Sequence, residues 1–383
     1  MKKIIRISTK AISLNYLLKG QLFFLKQNYD IIGVSGEDIH LKEVRIREKI
    51  NTISIEIHRE ISLLNDLLSL YKLYLLFKKE KPLIIHSISP KAGLISMLAG
   101  KMAGVPIRMH TFTGLIFPCK KGFLKKILIM TDKVLCYCAT NIYPEGQGVK
   151  NDLIKYKITN KPLTVLANGN VNGIDLQHFD PFLFSESENL KFKMNLGIKP
   201  EDFVFIFVGR LVGDKGINEL IKAFSQIASE KSNVKLILVG SFESDLDPLS
   251  SETMSIIASS NAIISNGFNS DVRPYFAISD VLVFPSYREG FPNAVIQAGA
   301  MGLPSIVTDV NGCNEIIIEG KNGAIIPVKN INYLYKSMKK MLEDHAYRIS
   351  LQLNARNMII NRFDNIQVWN AILAEYKRLE SNV

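Results

Sequence analysis

Short runs of Val, Ile, Leu and Phe recur along the chain, and they constrain its fold more than any other feature. Near-continuous apolar runs of this kind are typical of parallel strands that are buried on both faces of a sheet. Segments with helical periodicity separate the runs, so the sequence predicts an α/β fold with two doubly wound parallel-sheet domains that face a cleft. The predicted strands are Ile4–Ser8, Ile31–Ser35, Leu83–Ile88, Ile107–Phe112, Val134–Cys138 and Thr164–Leu166, then Phe203–Val208, Val234–Val239, Ala262–Ile264, Val281–Phe284, Ser305–Val307 and Ala324–Val328.

The length of 383 residues is enough for two domains, each with its own core. We place the first domain at residues 1–180 and the second at 181–362, with the polar stretch 180–188 as the linker. The helical pattern over 363–383 contains the only tryptophan, Trp369, and we expect this segment to pack back on the first domain. In open α/β sheets, ligands bind beyond the carboxyl ends of the strands, so candidate chemistry is sought there.

The excess of basic over acidic side chains is confined to the first half of the chain. Residues 1–180 carry 27 basic and 14 acidic side chains, whereas residues 181–383 carry 20 and 22. The first half is therefore expected to meet an acidic partner: nucleic acid, an anionic membrane surface or a phosphorylated substrate.

Four cysteines are too few, and too irregularly spaced, to indicate a disulfide framework or a zinc site. We expect Cys136 and Cys138 to lie buried on one strand face. The apolar run in MKKIIRIST is too short for a signal peptide, and polar residues interrupt the leucine-rich stretch 61–77. These features predict a cytoplasmic protein.

Two motifs follow predicted strands in the second half. Gly209–Gly216 is a glycine-rich turn in which Arg210 and Lys215 can both reach one diphosphate. Taken by itself, this motif is about as consistent with an ordinary basic loop exposed to solvent. Pro285–Ala298 contains Glu289 just before a helix that is predicted to start at Pro292. The N–H groups of such a helix start form an anion site, and the same start explains Glu289 as a carboxylate stabilised by the helix dipole.

Together these motifs resemble the retaining glycosyltransferases of family 4, which have the two-domain GT-B fold. The resemblance covers essentially the whole chain. It is most specific over Ser286–Ala300 and is supported by Phe203–Gly216 and Asn311–Gly323.

The resemblance implies a nucleotide-sugar site in the second domain. Arg210 and Lys215 look like the pair that neutralises the donor diphosphate, and Glu289 like the residue that contacts the donor sugar. Gln297 stands where the family usually has a second glutamate for the ribose hydroxyls, so we expect altered donor affinity rather than inactivity. The other implied donor-binding residues are Gly209, Asn266, Phe268, Gly290, Phe291, Asn293 and Ala294.

The predicted transfer needs no metal or other cofactor, because two cations and a helix start would stabilise the departing diphosphate. Asp245 and Asp247 have the spacing of a metal-binding Asp-x-Asp motif. We interpret the stretch 243–248 instead as a solvated turn.

In the first half, His110-Thr111-Phe112-Thr113-Gly114 resembles a motif of the family 4 branch that assembles surface polysaccharides. The resemblance makes His110 and Thr113 the candidates for facing the donor sugar, although a histidine at a strand end also suits a structural role. We expect Thr9, Ser13, Lys91 and Gly114 to lie on the acceptor side.

A lysine-rich apolar stretch, 119–128, suits either an amphipathic helix on an anionic membrane or an ordinary helix packed on the core. No nucleic-acid-binding pattern accompanies it.

The preferred hypothesis is a cytoplasmic enzyme on the inner face of the plasma membrane. It would move a hexose or acetamido-hexose, with retention, from a nucleotide diphosphate sugar, most simply a UDP-sugar. The acceptor would be a saccharide on polyprenyl diphosphate in O-antigen (lipopolysaccharide) or capsule assembly. The alternatives are a UDP-sugar 2-epimerase and a non-catalytic donor-binding subunit, while the lack of Gly-x-Gly-x-x-Gly disfavours a dehydrogenase.

Overall fold

The computed structural model describes residues 1–58, 62–243 and 247–383, except for the side chain of Cys119. The chain divides into two compact units, Met1–Gly173 with Asn365–Val383, and Ile174–Asp364. Each unit contains one six-stranded parallel sheet with helices between successive strands. The predicted fold class, two Rossmann-like α/β domains, is confirmed.

The first sheet has the order β3-β2-β1-β4-β5-β6, which is the order of a doubly wound fold. Its strands are β1 (Lys3–Ile7), β2 (Asp30–Ser35), β3 (Asn51–Ser54), β4 (Ile84–Ser87), β5 (Ile107–Phe112) and β6 (Asn141–Pro144). The helices between and after them are α1 (Ala11–Leu17), α2 (Gln21–Leu25), α3 (Ile39–Glu48), α4 (Leu63–Glu80), α5 (Pro90–Ala103), α6 (Gly122–Cys138) and α7 (Gln147–Lys155).

The second sheet has the equivalent order, β12-β11-β10-β7-β8-β9. Its strands are β7 (Phe203–Val208), β8 (Val234–Val239), β9 (Ile263–Ser265), β10 (Val281–Phe284), β11 (Ser305–Thr308) and β12 (Gly323–Ile326). The helices of this unit are α8 (Glu186–Asn195), α9 (Ile217–Glu230), α10 (Ser251–Ser259), α11 (Arg273–Ala277), α12 (Asn293–Ala300), α13 (Cys313–Ile316), α14 (Ile331–Glu343) and α15 (His345–Phe363).

All six predicted strands of the second half are present to within two residues, but two predictions for the first half are wrong. Val134–Cys138 is the end of helix α6, whose residues Leu135, Cys136 and Cys138 are buried. A short apolar run cannot by itself distinguish a buried strand from a buried helix face. Thr164–Leu166 forms no strand; only the preceding Leu163 makes an isolated bridge, to Ile142.

The two strands that we missed, β3 and β6, lie at the two edges of the first sheet. Edge strands are less buried than central ones and tolerate polar residues and proline. β3 reads Asn-Thr-Ile-Ser and β6 ends in Pro144, so neither forms an apolar run. The stretch 180–188, predicted as a linker, instead contains a 3₁₀ turn and the start of α8 inside the second unit.

The last helix, α16 (Asn365–Glu380), belongs to the first unit and packs on its core through Val368, Trp369, Ile372, Tyr376 and Leu379. The buried Arg6 of β1 donates a hydrogen bond from Nη1 to the Tyr376 hydroxyl over 2.7 Å. The same hydroxyl lies 2.6 Å from Nδ1 of His86. Burial, followed by the nearby Arg6 charge, lowers the pKa of His86, so its neutral ring accepts from Tyr376 and donates through Nε2 to Thr111.

Removing this hydroxyl should destabilise the first unit. Tyr376→Phe leaves Arg6 and His86 buried with one partner fewer, which costs about 1–3 kcal/mol of unfolding free energy. Urea denaturation followed by the fluorescence of the single tryptophan measures this unit, because Trp369 lies in it. Tyr333→Phe, at an exposed ring, is the matched control and should change nothing. Equal midpoints for the two variants would contradict the assignment.

Candidate active site

The candidate site lies at the point where the strand order of the second sheet reverses. Strand β7 and its neighbour β10 are followed by chain segments that leave in opposite directions, which opens a crevice at their carboxyl ends. The turn after β7 is Gly209–Gly216, and the turn after β10 is 285–292. The two sequence motifs are therefore neighbours in space.

Lys215 and Glu289 form an ion pair between these two turns. Only 14% of the Lys215 side chain and 12% of the Glu289 side chain is exposed to solvent, so water screens the pair less than it would at the surface. The ammonium also lies 5.6 Å from the centroid of the Phe284 ring. An ammonium has three N–H donors, so Lys215 can hold Glu289 and still contact a phosphate oxygen.

The two turns approach each other so closely that only glycine fits at position 216. Gly216 has φ of 72°, and a Cβ there would lie 2.1 Å from the carbonyl oxygen of Pro285. Next to it, the Asp214 carbonyl accepts the Tyr287 N–H over 2.8 Å, and the Asp214 carboxylate pairs with Arg288 at 2.7 Å. These contacts fix the spacing of Lys215 and Glu289.

Sequence reasoning missed Asp214 and Arg288 as the residues that join the turns. Each lies next to a residue that we did predict, and each turn follows one of two adjacent strands. Charge complementarity between the two motifs could have indicated the pairing.

Helix α12 starts next to this pair. Its N-cap, Pro292, makes no side-chain cap, so the first-turn N–H groups are directed beyond the helix start. Gly290, Asn293 and Ala294 are partly exposed there, whereas the ring of Phe291 is buried against Phe363. Gln297 is half-buried one turn further along the helix. Any contact of Phe291 with a ligand is thus limited to its backbone.

Arg210 does not join the Lys215–Glu289 pair in this structure. It lies after Gly209 and forms an exposed ion pair with Glu243 at 2.8 Å. An exposed pair contributes little free energy, so a bound anion can compete for the guanidinium at small cost.

The segment after β9 contains Asn266 and Phe268, two of the implied donor-binding residues. The amide of Asn266 donates to the hydroxyl of Tyr275, so this side chain supports the turn. Phe268 is 69% exposed, and its ring is open to stacking.

Asp245, one of the two aspartates with metal-motif spacing, lies outside the described residues. Asp247 accepts the N–H of Asp214 over 2.5 Å and so supports the turn after β7. Within the described ranges, no group of three His, Cys, Asp or Glu side chains is arranged to hold a metal ion.

In the first sheet the strand order reverses between β1 and β4, and Thr9 lies at that point. The Thr9 hydroxyl is 2.8 Å from that of Ser89, which precedes α5. Lys91 pairs with Asp66 at 2.8 Å, and Ser13 is half-buried in α1. The predicted acceptor residues Thr9 and Lys91 thus share the carboxyl edge of this sheet.

His110 lies in the core of the first unit. It has no exposed surface, its Nδ1 is 2.8 Å from the Ser87 hydroxyl, and a Cβ at Gly93 of α5 would touch its ring. Burial lowers the pKa of His110 to about 3, so the ring stays neutral. The predicted catalytic role of His110 has no support in this geometry.

Thr113 is half-buried and donates its hydroxyl hydrogen to the Ile88 carbonyl over 3.0 Å, beside Gly114.

Comparisons with known proteins agree with this architecture. The model of the family "Glycosyl transferases group 1" matches residues 188–358, and "Glycosyl transferase 4-like" matches residues 11–145. The chain is a family 4 glycosyltransferase. It is 34% identical over 364 residues to the capsular polysaccharide biosynthesis glycosyltransferase CapM of Staphylococcus aureus, covering 94% of this chain and 93% of that one.

Another relative of this glycosyltransferase is the Escherichia coli UDP-Gal:α-D-GlcNAc-diphosphoundecaprenol α-1,3-galactosyltransferase, 30% identical over 81% of this chain and 79% of that one. Among solved structures, Anabaena HepE in complex with UDP and glucose superposes with a TM-score of 0.83 at 18% identity, over 99% of this chain and all of that one. A glycosyltransferase from Rickettsia africae gives 0.82 at 21% identity, over 100% and 99% of the two chains. These likenesses confirm the GT-B fold.

The close approach of the two turns can be tested with a pair of glycine substitutions. Gly216→Ala and Gly302→Ala both place a side chain at positive φ, but Gly302 has open space around its Cβ position. Gly302→Ala is the control and should therefore lose only about 1–2 kcal/mol of stability. Gly216→Ala should lose about 1–3 kcal/mol more, because its Cβ meets Pro285. Thermal denaturation measures both; equal losses would contradict the close packing.

Proposed function

We propose that this glycosyltransferase moves a hexose or acetamido-hexose from a UDP-sugar, with retention of configuration, to a saccharide carried on polyprenyl diphosphate. The pathway would be the assembly of a capsule or an O-antigen. The observation that carries the donor half of the proposal is the Lys215–Glu289 pair at the start of α12. A cation, a carboxylate and the first turn of α12 therefore lie next to one another, and this arrangement supports binding of a diphosphate and of sugar hydroxyls.

The proposed chemistry follows from the charge that develops during transfer. The bond between sugar C1 and the diphosphate oxygen breaks, and UDP leaves with the electron pair. Lys215 and the start of α12 would stabilise the new negative charge, and Arg210 would join them after leaving Glu243. Glu289 would hold sugar hydroxyls, while the acceptor oxygen bonds to C1 on the face that UDP leaves and its proton passes to the departing diphosphate. We propose that no metal takes part.

The name of one relative supports a UDP-sugar donor, and the names of two support a lipid-linked acceptor. The E. coli relative is named for UDP-Gal and a diphosphoundecaprenol-linked GlcNAc. A Campylobacter jejuni relative, 27% identical over 78% of this chain, is named for an N,N'-diacetylbacillosaminyl-diphospho-undecaprenol acceptor.

Substitution of either member of the pair should abolish efficient transfer. We expect Lys215→Ala and Glu289→Ala each to lower kcat at least about 100-fold, because each removes a preorganised charge from the transition state. The assay measures UDP release from a panel of UDP-sugars with a short-chain lipid-linked acceptor, in the presence and absence of EDTA. Lys222→Ala, which breaks a surface pair with Glu252, is the control.

Three results would contradict parts of this proposal. Intact turnover in both pair variants would overturn the site assignment, and loss of activity in EDTA would overturn metal independence. Conversion of the UDP-sugar into its 2-epimer without transfer would favour the isomerase alternative.

Membrane contact is the second part of the proposal, and exposed apolar residues on two helices support it. Helix α6 starts after Lys120 and Lys121 and exposes Phe123 and Leu124. Helix α4 exposes Leu63, Leu64, Leu67, Leu68 and Tyr71. Both helices contact α5, and no helix in the described part of the chain is long and apolar enough to cross a bilayer. We infer peripheral binding, with apolar side chains in the headgroup region and lysines on anionic lipids.

Flotation with liposomes tests the membrane contact. Replacing Lys120, Lys121, Lys125 and Lys126 by glutamine should abolish binding to vesicles that contain anionic lipid, since electrostatic attraction weakens with each lysine removed. The control replaces Lys191, Lys193, Lys199 and Lys235 of the second unit in the same way and should float like the unchanged protein. Unaltered flotation of the first variant would refute the role of α6.

A further inference from the structure

A small cavity lies in the first unit where α5, the loop after β5 and α6 meet. Its volume is about 100 Å³, the room of roughly three liquid water molecules. The walls are mostly apolar, and they include Leu94, Phe112, Ile116 and Leu128. Two of the predicted acceptor residues, Lys91 and Gly114, line it as well, at the carboxyl edge of the sheet.

One carboxyl group, that of Asp132, also lines this cavity. Burial raises the pKa of Asp132 to about 7. Lys91, which shares the cavity, forms its ion pair with Asp66 instead. Within the described ranges, no hydrogen bond or ion pair is formed by the Asp132 carboxyl. The Asp132 side chain is half-buried, and a partly desolvated carboxylate is stabilised by a hydrogen-bond donor, so a ligand that supplies one suits this position.

The size and lining of the cavity limit what this ligand can be. Room for about three waters is too small for a pyranose ring or a run of isoprene units, but it suits a group of four heavy atoms. Apolar walls favour a methyl group, and a single carboxylate favours one N–H donor. An acetamido substituent has both: an N–H next to the sugar ring and a methyl group beyond it.

We propose that this cavity binds the acetamido group of the acceptor sugar, with its methyl against Leu94, Phe112 and Leu128 and its N–H donated to Asp132. The inference rests on the proposed function, because it assumes a saccharide acceptor at this edge of the first sheet. It goes further by naming the substituent that the enzyme selects and the residue that selects it. Asp132 is thus a specificity residue and takes no part in the bond-forming step.

The test compares acceptors that differ only in one substituent. Short-chain prenyl diphosphates carrying N-acetylglucosamine, glucose, glucosamine or N-butyrylglucosamine are assayed with the donor that gives the fastest UDP release. The unchanged enzyme should prefer the N-acetyl acceptor over each of the others by at least tenfold in kcat/KM. The preference should come mainly from KM, because the acetamido group is bound equally in the ground and transition states.

Two variants then locate the preference. Asp132→Leu should bring the N-acetyl and glucose acceptors to within about twofold of each other, without loss of kcat on glucose. Leu128→Ala enlarges the cavity and should raise kcat/KM for the N-butyryl acceptor at least tenfold. Lys133→Gln, at an exposed neighbour on α6, is the control and should keep the original preference. Because Asp132→Leu replaces an unpaired, half-buried carboxyl in an apolar lining, it should also raise the unfolding midpoint measured by Trp369 fluorescence.

The outcomes separate this inference from the proposed function. Transfer to the acceptors with equal kcat/KM, or an unchanged N-acetyl preference in Asp132→Leu, overturns the inference and leaves the proposed function standing. A faster reaction with glucosamine than with N-acetylglucosamine also overturns it, because the carboxylate would then serve an ammonium. Absence of transfer to every acceptor overturns both.

Discussion

The burial of each parallel sheet on both faces is the constraint on which the rest of this structure depends. Central strands such as β7 are buried at every residue, so they offer no place for ligand-binding polar groups. The polar side chains that can bind ligands therefore lie in the turns beyond the carboxyl ends of the strands. A crevice forms between two such turns at the point where the strand order reverses. In the second unit that place holds Lys215 and Glu289; in the first it holds Thr9 and Ser89.

The two places differ in charge and in construction. At the second sheet, a glycine that permits close backbone approach and the Asp214–Arg288 pair hold a cation and a carboxylate at low exposure. At the first sheet, neutral hydroxyls meet, and the charged and apolar groups lie further out on α4, α5 and α6. The basic excess of the first half is spread over its helices, whereas the proposed donor site needs only a few local charges.

Much of the fold and half of the site could be predicted from the sequence, and the failures have physical causes. The central strands could be predicted because strands buried on both faces consist of apolar residues. The edge strands β3 and β6 are less buried and contain polar residues, so they leave no apolar run in the sequence. The end of α6 was mistaken for a strand because its buried face is as apolar as a strand. That error also hid Asp132, which lies four residues before Cys136 and therefore near it on the same helix.

The sequence by itself determined the two α/β domains, their central strands and the turns that carry Lys215 and Glu289, because strand burial and glycine-rich turns leave local patterns. Only the tertiary structure decided which side chains meet. It buried His110 beneath α5, paired Arg210 with Glu243, and left the Asp132 carboxyl in an apolar cavity. Those contacts depend on packing between elements that are far apart in the chain. The local sequence around a residue therefore does not predict which side chains will surround it in the fold.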